Sequence, residues 1–216
     1  MGRAHVVIAV RDLVTAKSRL ADSFTAADRA RLVVAMLRDT VVAARAVDSV
    51  VGITVVTPDP AVAEIAESMD ARVAREPSSI PSEDSSTRLN SAFSTAASAI
   101  RAQDGLDIVA LQADLPALRS EELAQAYARA RPNGRSIVSD HHGTGTAALI
   151  LKGTTGRFDP LFGPASAQRH QDSGALDLDG HWPGLRLDVD TITDVRLAFE
   201  LGVGRATMEV LHSLGW

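Results

Sequence analysis

Three short runs of apolar and mostly β-branched residues, HVVIAV at His5–Val10, GITVVT at Gly52–Thr57 and IVALQ at Ile108–Gln112, recur along the chain with longer stretches of helical period between them. Runs so continuously apolar suit strands buried on both faces of a parallel sheet. After the first run, Thr25 opens a T-x-x-D capping pattern with Asp28, and Leu32, Val33, Met36, Leu37, Thr40, Val41 and Ala44 follow at helical spacing. The second run closes at Pro58-Asp59-Pro60, and the sequence then predicts a helix over Ala61–Met69 and a short strand at Arg72–Ala74. Glu76–Ser86, rich in Ser and Pro, reads as a surface loop before a helix over Leu89–Ile100. Beyond the third run, Ser120 reads as the N-cap of a helix over Glu121–Ala130.

The rhythm changes after Ser136–Ser139. Gly143-Thr144-Gly145 is turn chemistry, and the apolar run Thr146–Leu151 follows too closely for a helical crossover, so its pairing should be antiparallel. Leu185–Val189 reads as a last strand, followed by helices over Thr193–Leu201 and around Ala206–Leu214. Helical crossovers between mostly parallel strands, with one antiparallel insertion, predict a three-layer α/β fold forming a single domain over residues 1–216. In such folds ligands gather beyond the carboxyl ends of the strands.

Composition narrows the function. The chain has 216 residues, 45% of them hydrophobic, enough for one sizeable core. No apolar run approaches the roughly 20 residues of a membrane-spanning helix. The N-terminus enters a strand-like run with no secretory pattern. A soluble, cytoplasmic chain without a membrane partner is expected. A net charge of −5 argues against a nucleic-acid surface, which needs clustered cations. With no cysteine, disulfides, zinc-thiolate sites and thiol nucleophiles are excluded, and any metal must be held by oxygen or histidine.

The strand ends carry the candidate chemistry. Arg11, Lys17 and Arg19 put three cations into nine residues after the first strand, a loop that would suit a triphosphate, although neither a P-loop nor G-x-G-x-x-G is present. A solvated basic loop is the plainer alternative. Asp114 stands just past the third run and before Pro116, where a carboxylate could hold magnesium beside substrate phosphates or could cap backbone amides. Asp188 and Asp190, two positions apart, would share one face of a strand and could join Asp114 around magnesium, or could cap the next helix, Asp190 being the nearer. Asp140–Thr146 and Phe162–Ser166 are Gly- and hydroxyl-rich turns that could let backbone amides approach an anion, and Ser166 could begin a helix containing Arg169 and His170 whose N-terminus seats an acid; a hairpin turn and an ordinary Ser N-cap are the plainer alternatives. His141, His142 and His170 lack a clear metal-ligand spacing and read as surface or hydrogen-bonding side chains.

Together, AKSRLA at Ala16–Ala21, LQADLPAL at Leu111–Leu118, DHHGTGTAAL at Asp140–Leu149, RFDPLFGPASAQRH at Arg157–His170 and LDVDT at Leu187–Thr191 resemble one family over nearly the whole chain. It is the phosphoenolpyruvate or 2-phospho-L-lactate guanylyltransferase family of coenzyme F-420 biosynthesis, in its mycobacterial-type branch. The resemblance implies a GT-A-like, Rossmann-related nucleotidyltransferase fold. It implies that GMP passes from GTP to phosphoenolpyruvate, giving enolpyruvoyl-2-diphospho-5′-guanosine and pyrophosphate, with hand-over of the product to the next transferase of the pathway. By the same resemblance Thr146, Gly163 and Ser166 hold the acid, Asp114 and Asp188 hold Mg2+ with Asp190 as a further ligand, and Lys17 and Arg19 meet the GTP phosphates as catalytic cations. Arg11 and Asn90 are nucleotide-binding positions, with Arg11 where the wider family often has Lys, and Arg88 before Leu89-Asn90 where many relatives carry Gly. Three alternatives stay open: 2-phospho-L-lactate as acceptor, another GT-A-like nucleotidyltransferase, and a catalytically inactive nucleotide-binding protein.

Overall fold

The computed structural model describes residues 2–10, 13, 17–75, 84–153 and 156–216. Seven strands form one sheet: β1 (Ala4–Ala9), β2 (Val50–Val56), β3 (Arg72–Ala74), β4 (Asp107–Leu111), β5 (Arg135–Ser139), β6 (Thr146–Leu151) and β7 (Leu176–Asp177). Their order is β3-β2-β1-β4-β6-β5-β7. Strands β3, β2, β1 and β4 pair in parallel, β6 pairs antiparallel with both β4 and β5, and β7 pairs in parallel with β5. One reversed strand in an otherwise parallel sheet is the antiparallel insertion that the short Gly143–Gly145 connection predicts.

Eight helices surround the sheet among the described residues: α1 (Ala26–Arg45), α2 (Pro60–Ser68), α3 (Ser85–Asp104), α4 (Ser120–Arg129), α5 (Ser166–Asp172), α6 (Pro183–Arg186), α7 (Ile192–Leu201) and α8 (Arg205–Ser213). Thr25 caps α1 as its pattern predicts, its hydroxyl accepting from the Asp28 amide. The strands alternate their side chains between two cores. Val6, Ile8 and Val109 pack with Met36 and Leu37 of α1 and Leu123 of α4 on one face. Val7, Ile108 and Ala110 pack with Phe93 and Ala97 of α3 and Ala167 of α5 on the other. Three layers result. Among the described residues, no helix is long and apolar enough to cross a membrane.

Two expectations are corrected. Leu185–Val189 is not a strand: Pro183–Arg186 forms the short helix α6, and the chain then runs irregularly to α7. Pro183 supplies a fixed φ at the start of that turn. Buried Glu122 holds the turn closed, its carboxylate accepting from the amides of Gly184 at 3.1 Å and Leu185 at 2.9 Å. Those amides are therefore spent on a side chain instead of a ladder. Ser120 is not an N-cap but the first residue of α4, whose N-cap is Arg119, whereas Ser166 begins α5 as one reading of its turn expected.

The sheet's register collects the site. Ile8 pairs with Leu111, Leu111 with Ala148, and Ser139 with Thr146, so the carboxyl ends of β1, β4 and β5 and the amino end of β6 lie along one edge.

Candidate active site

Lys17 follows β1 on a left-handed backbone (φ 53°) and starts a 3-10 turn at Ser18–Leu20 that Leu20 anchors in the core. Its ammonium donates to Asp114 and, at 2.7 Å, to Asp190 Oδ1. Arg19 lies 3.8 Å from Asp190 Oδ2 and is otherwise exposed. Burial opposes the Lys17 charge, but Asp114 and Asp190 outweigh it and raise the ammonium's pKa above its ordinary value.

Asp114 stands just beyond β4, and its carbonyl accepts from the Val189 amide at 3.1 Å. That bond stitches the Asp114 turn to the segment carrying Asp188 and Asp190. The segment keeps a period of two without a ladder: Leu187 and Val189 are buried, and Asp188 and Asp190 alternate with them as half-buried residues. Asp114 and Asp190 therefore meet on Lys17, and Asp188 lies near enough to feel both charges, by a route that differs from the one expected. Asp190 does not cap α7. Thr191 does, and its partner is Asp194, whose Oδ2 accepts from the Asp190 amide, the Thr191 amide and the Thr191 hydroxyl at 3.0, 2.7 and 2.8 Å.

Among the described residues, Asp188 forms no ion pair with a Lys or Arg side chain. Burial, then the carboxylates of Asp114, Asp190 and Asp140, push its carboxyl up to about 8, against the pull of Lys17. Burial pushes Asp190 up as well, but Lys17 and Arg19 win and hold it below the usual carboxylate range. Asp114 Oδ1 and Asp188 Oδ1 are shut off from solvent and have no hydrogen-bond partner among the described residues. Such orphaned anionic oxygens are costly unless a cation meets them.

A second cluster stands at the amino end of β6. The Thr146 hydroxyl lies 3.0 Å from Ser166 Oγ and 3.1 Å from His170 Nδ1, all three residues being buried. The Leu161 amide donates to His170 Nε2 at 2.8 Å, which leaves Nδ1 as the protonated nitrogen, 2.9 Å from the Ser166 carbonyl. Burial lowers the imidazole pKa to about 4. His170 is thus a neutral keystone under Thr146 and Ser166. Its use as a hydrogen-bonding histidine was legible; its central place was not.

Gly163 completes this cluster with φ 122°, and a Cβ there would collide with the Ser86 hydroxyl. The turn before it is held from two sides. Arg169 donates to the carbonyls of Leu161 and Phe162 at 2.9 and 3.1 Å, and Asn90 pairs with both the amide and the carbonyl of Phe162 at 2.8 and 3.0 Å. Asn90 spends both ends of its amide as a clamp on Phe162-Gly163. Arg11 lies outside the described residues.

Asp140, which sequence reasoning did not single out, shapes the loop between β5 and β6. Its carboxylate accepts from the amides of Thr144 and Gly145 at 2.9 and 2.8 Å. An Asp four and five residues before two turn amides is the signal that could have found it.

The model of the family described as "Guanylyl transferase CofC like" matches residues 4–216. The chain is 53% identical to phosphoenolpyruvate guanylyltransferase 1 of Rhodococcus jostii, over 98% of this chain and 94% of that one. It is 52% identical to the phosphoenolpyruvate guanylyltransferase of Nocardia farcinica, over 98% and 92%. Among solved structures, a Methanothermobacter nucleotidyl transferase superposes with a TM-score of 0.60 at 18% identity, covering 93% of this chain and 98% of that one. A 4-diphosphocytidyl-2C-methyl-D-erythritol synthase superposes with a TM-score of 0.61 at 13% identity, covering 93% and 99%. At such identities the structural likeness is one of fold.

Proposed function

The chain belongs to the guanylyl transferase CofC-like family, and from that premise we propose that it transfers GMP from GTP to phosphoenolpyruvate, releasing pyrophosphate. The observation that supports this most is the part-buried meeting of Lys17 with Asp114 and Asp190 beside the unpaired oxygens of Asp114 and Asp188. Two carboxylates sharing one ammonium, with the Asp188 carboxyl close by, form a partly desolvated acidic cluster, and their oxygens are the donors that magnesium takes. Asp114, Asp188 and Asp190 would hold the ion. When bound, magnesium would neutralise charge on the transferring phosphate.

The chain's own groups do the rest. Lys17 and Arg19 orient and neutralise the GTP phosphates. Thr146, Ser166 and the backbone at Gly163 hold the acid. A phosphate oxygen of phosphoenolpyruvate forms the new bond to the α-phosphorus of GTP. The bond from that phosphorus to the bridging oxygen of the β-phosphate breaks, and pyrophosphate leaves with the electron pair. A phosphate monoester, with its second pKa about 6, is already largely ionised at neutral pH. No protein nucleophile or general base is needed. The product, a guanosine diphosphate diester of enolpyruvate, is an activated donor for a downstream transferase of coenzyme F-420 biosynthesis.

The acceptor is the part to test. The ratio of kcat/KM for phosphoenolpyruvate to that for 2-phospho-L-lactate, measured with GTP and magnesium, should exceed one. A ratio below one makes 2-phospho-L-lactate the acceptor. No turnover with either acid rejects both.

A further inference from the structure

His141, in the loop after β5, lies between two carboxylates. Its Nε2 is 3.2 Å from Asp194 Oδ1, and its Nδ1 is 3.6 Å from Asp188 Oδ1. Asp194 and the His141 backbone are both anchored. Asp194 is held by the three donors on its Oδ2, which leaves Oδ1 for the imidazole. The His141 amide donates to the Arg186 carbonyl at 2.8 Å.

Neither ring nitrogen completes a hydrogen bond among the described residues, and both are shut off from solvent, as is Asp188 Oδ1. The ring thus presents one nitrogen to each carboxylate, Nε2 to Asp194 and Nδ1 to Asp188, and the Nδ1–Oδ1 gap is wide enough to be bridged. Bonds of about 2.0–2.2 Å from one ion to neighbouring N and O ligands put those ligands roughly 3–3.6 Å apart. A carboxylate that receives the second N–H of a histidine is the usual support of a metal-ligating imidazole.

We infer that His141 Nδ1 and Asp188 Oδ1 form a nitrogen–oxygen seat for a divalent cation, oriented from behind by Asp194. The inference deepens the reading of Asp188 as a cation ligand and rests on it. An imidazole nitrogen favours manganese(II) and cobalt(II) over magnesium. His142 and Asp194 also come near enough to His141 to form an acid–histidine trio. The two imidazoles, however, pack against each other with centroids 3.8 Å apart and planes inclined by 39°, His142 is exposed, and Asp194 Oδ2 already accepts from three donors. His142 is a stacking partner.

The test is pulsed EPR of the full chain loaded with manganese(II) in the absence of nucleotide. The expected result is a nitrogen-14 coupling that changes to the nitrogen-15 pattern in histidine-labelled protein. It should be lost in His141→Gln and kept in His142→Gln. His141→Gln should also weaken manganese binding about 10- to 100-fold, with a smaller effect on magnesium. Manganese bound with no nitrogen coupling overturns the seat and leaves guanylyl transfer standing. A coupling that survives His141→Gln, or that ignores the histidine label, also overturns it. No manganese binding at all removes the carboxylate cation site together with it. Should His141→Gln fail to fold, the labelled wild type and His142→Gln still decide whether a histidine other than His142 binds the ion.

Discussion

The Lys17 ammonium lies 2.7 Å from Asp190 Oδ1, across 173 positions of chain, and donates to Asp114 as well. The cation that follows β1 thus neutralises the carboxylates it would otherwise share with a metal. Replacing it by an apolar chain of similar length leaves those carboxylates uncompensated. Lys17→Met should lower kcat by about 10² to 10³-fold, the range for removing one group that stabilises transition-state charge. It should also lower Tm in metal-free buffer, with magnesium restoring more of the loss than it adds to the wild type. Steady-state kinetics and thermal melts with and without magnesium check this; unchanged kcat would remove Lys17 from the phosphate site.

Asp188 gives a pH dependence of defined sign. Its carboxyl is pushed from an ordinary 3.8 up to about 8, so its contribution to stability is full below pH 3.8 and is lost as pH rises through 8. Asp188→Asn cannot titrate. In chelator-treated protein, the stability of Asp188→Asn relative to wild type should therefore grow from pH 5 to pH 8, and magnesium should narrow the gap at pH 8. Urea melts at the two pH values test it, and a flat difference contradicts it.

Thr146 and Ser166 present hydroxyls on one buried cluster with His170. If they hold the acid, Thr146→Val and Ser166→Ala each remove a hydrogen bond to a charged group, worth about 1.5–3 kcal/mol. The KM for phosphoenolpyruvate should rise about 10- to 100-fold while the KM for GTP stays within about twofold. Equal rises in both would make the cluster a purely structural support.

The Phe162-Gly163 turn can be attacked from either side. Asn90→Ala removes two hydrogen bonds to Phe162, a loss of about 2 kcal/mol at about 1 kcal/mol each. Its kinetic effect should fall on the acid more than on GTP, because the turn it clamps carries Gly163. Gly163→Ala meets both a left-handed backbone and the Ser86 hydroxyl, at a cost of about 1–3 kcal/mol. Denaturant melts with paired KM values decide; a rise in the KM for GTP alone upon Asn90→Ala would return Asn90 to the nucleotide.

Much of the fold is written in local pattern. Arg72–Ala74 and Thr146–Leu151 are strands over the residues their apolar runs predict, and the short Gly143–Gly145 connection carries the reversal of β6. Leu185–Val189 misled because Leu185, Leu187 and Val189 are indeed buried, yet Glu122, some sixty positions earlier, takes the amides that a strand would use. The two-residue strand β7 is too short to leave a period. The cap position slipped by one residue at Ser120 because a side chain able to cap also serves as a first helical residue. The candidate site was legible as separate acids and cations at strand ends. Their meeting was not, since Lys17, Asp114 and Asp190 converge through contacts 97 and 173 positions apart.

The central claim is transfer of a guanylyl group to a phosphorylated acid, and phosphorus-31 NMR of purified protein with GTP, phosphoenolpyruvate and magnesium reads it directly. The account predicts that the phosphoenolpyruvate monoester signal falls as a coupled pair of diphosphate-diester signals and a pyrophosphate signal grow in equal proportion. Unchanged spectra, or GTP decaying to GDP and inorganic phosphate with phosphoenolpyruvate intact, would contradict it.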